Sequence, residues 1–145
     1  MEIKAVNVGR IFISGVIIWI VSAIFGWLTC GWLFNWVYQL PPNIWKDEAV
    51  MMSAGNMIGM NIIGLISAII FAFVFAVLYK GIPGTGAKKG MIYGLLMWLV
   101  GALTGVASMP FAMTIATTVV VYWIIQALIM NLINGAIVGV IYKEK

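Results

Sequence analysis

"GMIYGLLMWLVGALTGVASMPFAMTIATTVVVYWIIQALIMNLINGAIVGVIY", residues 90–142, contains no Asp, Glu, Lys or Arg. A helix that crosses a membrane needs about 20 apolar residues, because each adds about 1.5 Å across a hydrocarbon layer about 30 Å thick. This run is too long for one crossing and long enough for two. It therefore holds two helices, and the fold turns on where it divides. Pro110 lacks an N–H and suits the first turn of a helix, and Ser108 stands where it can cap that turn. The expected break is "ASMPFAM" (107–113), with spans at 90–109 and 111–142.

Working outward from that run, two further apolar stretches, 11–34 and 51–79, reach the same length. Composition agrees. Of 145 residues, 64% are hydrophobic and 8% are charged, whereas a soluble domain carries about 25% charged residues. So few charges cannot cover a surface that faces water, and lipid is the expected solvent. The expected fold is an all-α membrane protein, a four-transmembrane-helix bundle forming a single domain over residues 1–145.

Four crossings put both termini on one side. Lys4, Arg10, Lys80, Lys88, Lys89, Lys143 and Lys145 then share that side, and Lys46 lies on the other. Basic loop residues collect on the cytoplasmic face, so both termini are expected to be cytoplasmic in a multi-pass protein of the cell membrane. Glu2, Asp47, Glu48 and Glu144 divide evenly and decide nothing. Lys4 and Arg10 precede an apolar run as in a signal peptide. The run nevertheless continues past any h-region, and "GWLTCGW" (26–32) has no small-x-small cleavage site. Trp27 and Thr29 also make Cys30 a poor lipoprotein site, so the first stretch is expected to stay as a span.

The chain reads as two tandem hairpins. "GVIIWIVSAIFG" (15–26) and "GLLMWLVGALTG" (94–105) share Gly, Trp, Val, Ala and Gly in register, with Arg10 and Lys89 each five residues before the first glycine. The second helices end alike, "VLYKG" (77–81) and "VIYKE" (140–144). Helices 1 and 3 run in the same direction, so the repeat is parallel, about an axis along the membrane normal. The connection "FNWVYQLPPNIWKDEA" (34–49) belongs to the first half alone. Its Trp36, Tyr38 and Trp45, with Trp32 just before it, read as an interfacial aromatic belt.

Lipid tails are as apolar as leucine, so close packing rather than burial holds such helices together. Four GxxxG pairs supply it: Gly55 and Gly59, Gly90 and Gly94, Gly101 and Gly105, Gly135 and Gly139. Ala68, Ala72 and Ala76 extend the pattern. These are more small faces than one small bundle needs, which points to a homo-oligomer or to other membrane subunits as partners, beside the lipid bilayer itself.

Chemistry has few candidates. "KGIPGTGAKKG" (80–90) has Gly81 and Gly86 at the spacing of a phosphate loop, but Ala87 stands where the lysine belongs and Lys88 where the hydroxyl belongs. It reads as a turn, with Lys80, Lys88 and Lys89 meeting anionic headgroups at about 1 kcal/mol each. Neither nucleotide nor nucleic acid is expected. No Asp, Glu, Lys, Arg or His lies within a span, and such residues mark proton relays and ion pathways. The intramembrane polar groups are Asn56, Asn61 and Ser67 on the second span and Gln126, Asn131 and Asn134 on the fourth. They serve as interhelical hydrogen bonds, or line a narrow path for water, a small neutral solute or an ion.

Met51, Met52, Met57 and Met60 cluster at one end of the second span, and Met109 and Met113 stand at M-x-x-x-M spacing. That spacing is similar to the methionine pair of small copper-uptake channels, over two residues and no wider pattern. It would imply a Cu(I) route through Met57, Met60, Met109 and Met113, with Cys30 at similar depth. Histidine is absent, and no nucleophile stands beside a base. The expectation is a membrane protein that is not an enzyme, needs no cofactor or metal, and works through helix packing. The alternative is a small channel.

Overall fold

Four helices are long and apolar enough to cross a membrane: α1 (Val8–Leu33), α2 (Ala54–Leu78), α3 (Gly86–Ala112) and α4 (Thr117–Ile141). The computed structural model describes residues 6–143 and contains no strand among them. Glu2, Lys4, Glu144 and Lys145 lie outside the described residues. Arg10 donates from Nη1 to the Ile141 carbonyl at 2.7 Å, so the start of α1 and the end of α4 meet. This is the terminal end of the bundle. The 34–53 connection and the turn at 113–116 lie at the opposite, loop end.

The fourth helix begins later than Pro110 indicates. Residues Met109–Ala112 form a single turn with Pro110 in its first positions, and this turn closes α3. Ser108 caps nothing; its hydroxyl donates back to the Gly105 carbonyl at 2.9 Å. The break falls at 113–116, where Met113 (φ −146°, ψ 158°) and Ala116 (φ −65°, ψ 129°) are extended. A proline at a first turn starts a helix of any length, and here it starts a very short one.

Packing is tight at the terminal end. Ile11 and Ile18 of α1, Ala68, Ala72 and Phe75 of α2, Tyr93 of α3 and Val138 of α4 form the buried core, with Ile82 and Tyr142 beside them. Gly15 admits α2: a Cβ built there would lie 2.9 Å from the Ile69 Cα. Tyr93 joins α3 to α2, its hydroxyl donating to the Phe71 carbonyl at 2.8 Å and its ring set against Phe71 and Phe75. Tyr79 and Tyr142, the matching tyrosines of "VLYKG" and "VIYKE", meet edge to face at 5.3 Å and both touch Phe75.

The loop end is built differently. Ala68 is the outermost buried residue of α2. From Ala54 to Ser67 none is buried, and Met57, Ile58, Met60, Asn61, Ile62 and Ile63 are all exposed. Outward of Gly94, α3 has no buried residue either. Both α1 and α3 widen here, into π-helical turns at Trp27–Leu33 and Trp98–Leu103. Such bulges shift one side chain off the regular face and are frequent at functional positions.

Candidate functional site

The first feature is the seam between α3 and α4. Here the two inner GxxxG pairs interlock within the chain. A Cβ on Gly90 would overlap the Gly135 carbonyl, and one on Gly94 would overlap the Asn131 carbonyl. A Cβ on Gly135 would overlap the Gly90 carbonyl in turn, and one on Gly139 would meet Gly90 N at 2.8 Å. Backbone faces backbone at these four positions, so only glycine fits. The other two pairs are unused: nothing lies within 4 Å of a Cβ built on Gly55, Gly59, Gly101 or Gly105.

The second feature is a polar cluster at the loop end between α1 and α4. Gln126 reaches across from α4, its Nε2 donating to Thr29 Oγ1 at 2.8 Å and to Cys30 Sγ at 2.9 Å. Tyr38 donates its hydroxyl to the same sulfur at 3.2 Å and accepts from Trp123 Nε1 at 2.9 Å. Phe34, Trp45 and Tyr122 close over it, with Trp45 edge-on to Trp123 at 5.7 Å. The rings read from sequence as an interfacial belt are thus divided. Trp32 and Trp36 face outward, while Tyr38 and Trp45 pack inward on α4.

Burial above all, and its bond to Cys30, push the Tyr38 hydroxyl above the ordinary tyrosine value. The folded chain keeps this proton where the unfolded chain releases it, near pH 10. Stability should therefore be full below pH 10 and fall as pH rises above it. Thermal unfolding from pH 8 to 11 should show that fall, and Tyr38→Phe should make it shallower.

The third feature is a groove of about 290 Å³ lined by Ser22, Phe25, Gly26, Val106, Trp123, Gln126, Ala127 and Met130. Ser22 and Gly26 stand seven and eleven residues beyond Gly15, on the helical face that meets α2 further in. Ala127 stands eleven residues before Val138, which is fully buried in the core. The groove is therefore the bundle interior at the loop end. It is walled by α1, α3 and α4, and no residue of α2 lines it.

The sequence-named amides fall in different places. Asn134 and Ser22 exchange hydrogen bonds at 3.2–3.3 Å across α4 and α1. Asn131 turns back to the Ala127 carbonyl of its own helix at 2.8 Å, and its backbone seats Gly94. Asn61 is exposed and donates to Met57 of its own helix at 2.7 Å; Asn56 donates to the Val50 carbonyl. Among the methionines, Met57, Met60 and Met113 are exposed and Met109 is half-buried. No group of three His, Cys, Asp or Glu gathers among the described residues. Thr29, Tyr38 and Trp123 escape notice as site residues in the sequence; the available signal was Gln126, a lone amide opposite Cys30.

In the 80–90 stretch residues 80–85 are a turn and α3 begins at Gly86, with Gly84 (φ 90°) and Gly86 (φ 54°) in the left-handed region that suits glycine. Lys80 and Lys88 are exposed. Lys89, expected among headgroups, instead folds inward: it is 8% exposed, with Nζ 3.9 Å from the centroid of Tyr79. The ring face receives the ammonium. Set beside known protein families, curated proteins and solved structures, the chain has no match.

Proposed function

We propose that this chain is a non-catalytic, multi-pass protein of the cell membrane that acts by lateral helix packing, as a homo-oligomer, accessory subunit or scaffold. One observation carries the reading. Two of the four GxxxG pairs are consumed inside the chain, whereas nothing lies within 4 Å of a Cβ built on Gly55, Gly59, Gly101 or Gly105. Open small-residue faces let a second backbone approach closely, which is how helices associate in lipid. Asn61, exposed on the same half of α2, adds an amide able to pair across such an interface.

Two tandem hairpins with cytoplasmic termini complete the reading. Gly15 meets Ile69 in one hairpin, and Gly94 meets Leu132 N at 3.3 Å in the other. From Gly15 to Gly94 is 79 residues, and from Ile69 to Leu132 is 63, the offsets of Arg10 to Lys89 and of Tyr79 to Tyr142. Arg10, Lys80, Lys88, Lys89 and Lys143 belong to the terminal end and Lys46 to the loop end, which favours a cytoplasmic terminal end.

The test is energy transfer between donor- and acceptor-labelled protein in liposomes. The natural chain should show transfer above that of a dilute monomer control. Gly55→Ile with Gly59→Ile should reduce it to that control and leave the helical circular dichroism of the chain unchanged, since neither site has a neighbour within the chain. Transfer that persists in the double variant would count against this interface.

A further inference from the structure

The terminal end obeys the hairpin repeat closely, and the loop end does not. At the terminal end the matched basic residues of the odd helices, Arg10 and Lys89, each cross to the end of the even helix in the other hairpin. Arg10 binds the Ile141 carbonyl at the end of α4, and its counterpart Lys89 sits over Tyr79 at the end of α2. At the loop end, α4 lies on α1 through Gln126 and Thr29, and nearer the middle of the bundle through the Ser22–Asn134 pair. Among the described residues no hydrogen bond of its counterpart α2 to α3 corresponds to these.

A single indole marks what is missing. Trp19 and Trp98 hold the same place in the two hairpins, four residues after the first glycine. Trp98 donates Nε1 to the Ile124 carbonyl of its partner helix at 2.9 Å. Trp19 leans on Gly64 of its own partner helix, and its N–H has no acceptor among the described residues. The residue of α2 that corresponds to Ile124 is Asn61 (124 − 63), on the half that stands away. An unpaired N–H in a hydrocarbon layer is costly.

We propose that the loop-end half of α2, Ala54–Ser67, is a wall that swings in and closes the groove by docking on α3. This goes beyond lateral assembly and rests on the hairpin repeat. In the closed position the Asn61 carbonyl meets Trp19 Nε1. Gly101 and Gly105, which correspond to Ser22 and Gly26, receive α2 as those residues receive α4. The counterpart of the Gln126–Thr29 bond then pairs Ile63 (126 − 63) with Ser108 (29 + 79). Both are exposed in the open form. The groove lined by Ser22, Gly26, Val106 and Gln126 becomes an enclosed cavity.

The test is oxidative cross-linking of full-length chain in liposomes, in a Cys30→Ser background. Ile63→Cys with Ser108→Cys should form an intramolecular disulfide, read as a mobility shift of the monomer. Ser22→Cys with Asn134→Cys, already in contact, should cross-link equally well and shows that the variants are folded. With that control positive, absence of the 63–108 disulfide overturns the closure. If Ile63→Cys cross-links with Gly101→Cys and not with Ser108→Cys, α2 closes in another register, and the repeat on which this pairing rests is wrong.

Discussion

Gly135→Ile should leave no folded bundle. A Cβ at this position would overlap the Gly90 carbonyl and lie 3.1 Å from Gly94 N. These are main-chain atoms, so no rotamer change can make room. Overpacking that side chains can absorb costs about 1–3 kcal/mol; here α3 and α4 must separate along the seam that holds them. The loss should exceed that range and approach total stability, which for a domain is about 5–15 kcal/mol. The expected result is aggregation in mild detergent, or a thermal transition too low to measure. Gly101→Ile, on the same helix with nothing within 4 Å of its Cβ, should unfold like the natural chain. Equal stability of Gly135→Ile and the natural protein would show that the seam is not formed.

Tyr93→Ala should be the most damaging truncation. Tyr93 is 1% exposed and joins α3 to α2 through the rings of Phe71 and Phe75. Truncating a buried aromatic to alanine costs about 3–5 kcal/mol, through lost contacts and the cavity left behind. Tyr93→Phe removes only the hydrogen bond to the Phe71 carbonyl, and such bonds within membranes average about 0.6 kcal/mol. The ratio between the two losses is the informative quantity. If Tyr93→Phe were as destabilising as Tyr93→Ala, the hydroxyl rather than the ring would tie the hairpins together.

Run length and charge placement made the four long apolar helices legible, because a bilayer sets a strict length and excludes charge. The break inside 90–142 was less legible. Pro110 and Ser108 signal a helix start, and the helix they start ends within one turn, since Met113 leaves it in an extended conformation. Spacing also could not separate the four GxxxG pairs. Gly90 interlocks and Gly101 does not, although their local sequences are equally permissive, because the difference lies in what the other helix presents. The Cys30 cluster needed the fold outright: Thr29, Tyr38, Trp123 and Gln126 meet across 97 residues of chain at most. The place of Lys89 over the Tyr79 face needed the fold as well.

All of these readings require that the chain crosses a bilayer four times with its tight end on one side. Impermeant thiol labelling of Lys46→Cys, Thr85→Cys and Lys143→Cys, each in a Cys30→Ser background in intact cells, tests that directly. The expected result is that residue 46 reacts from outside while 85 and 143 react only after the membrane is opened. Labelling of 46 and 85 from the same side would contradict it.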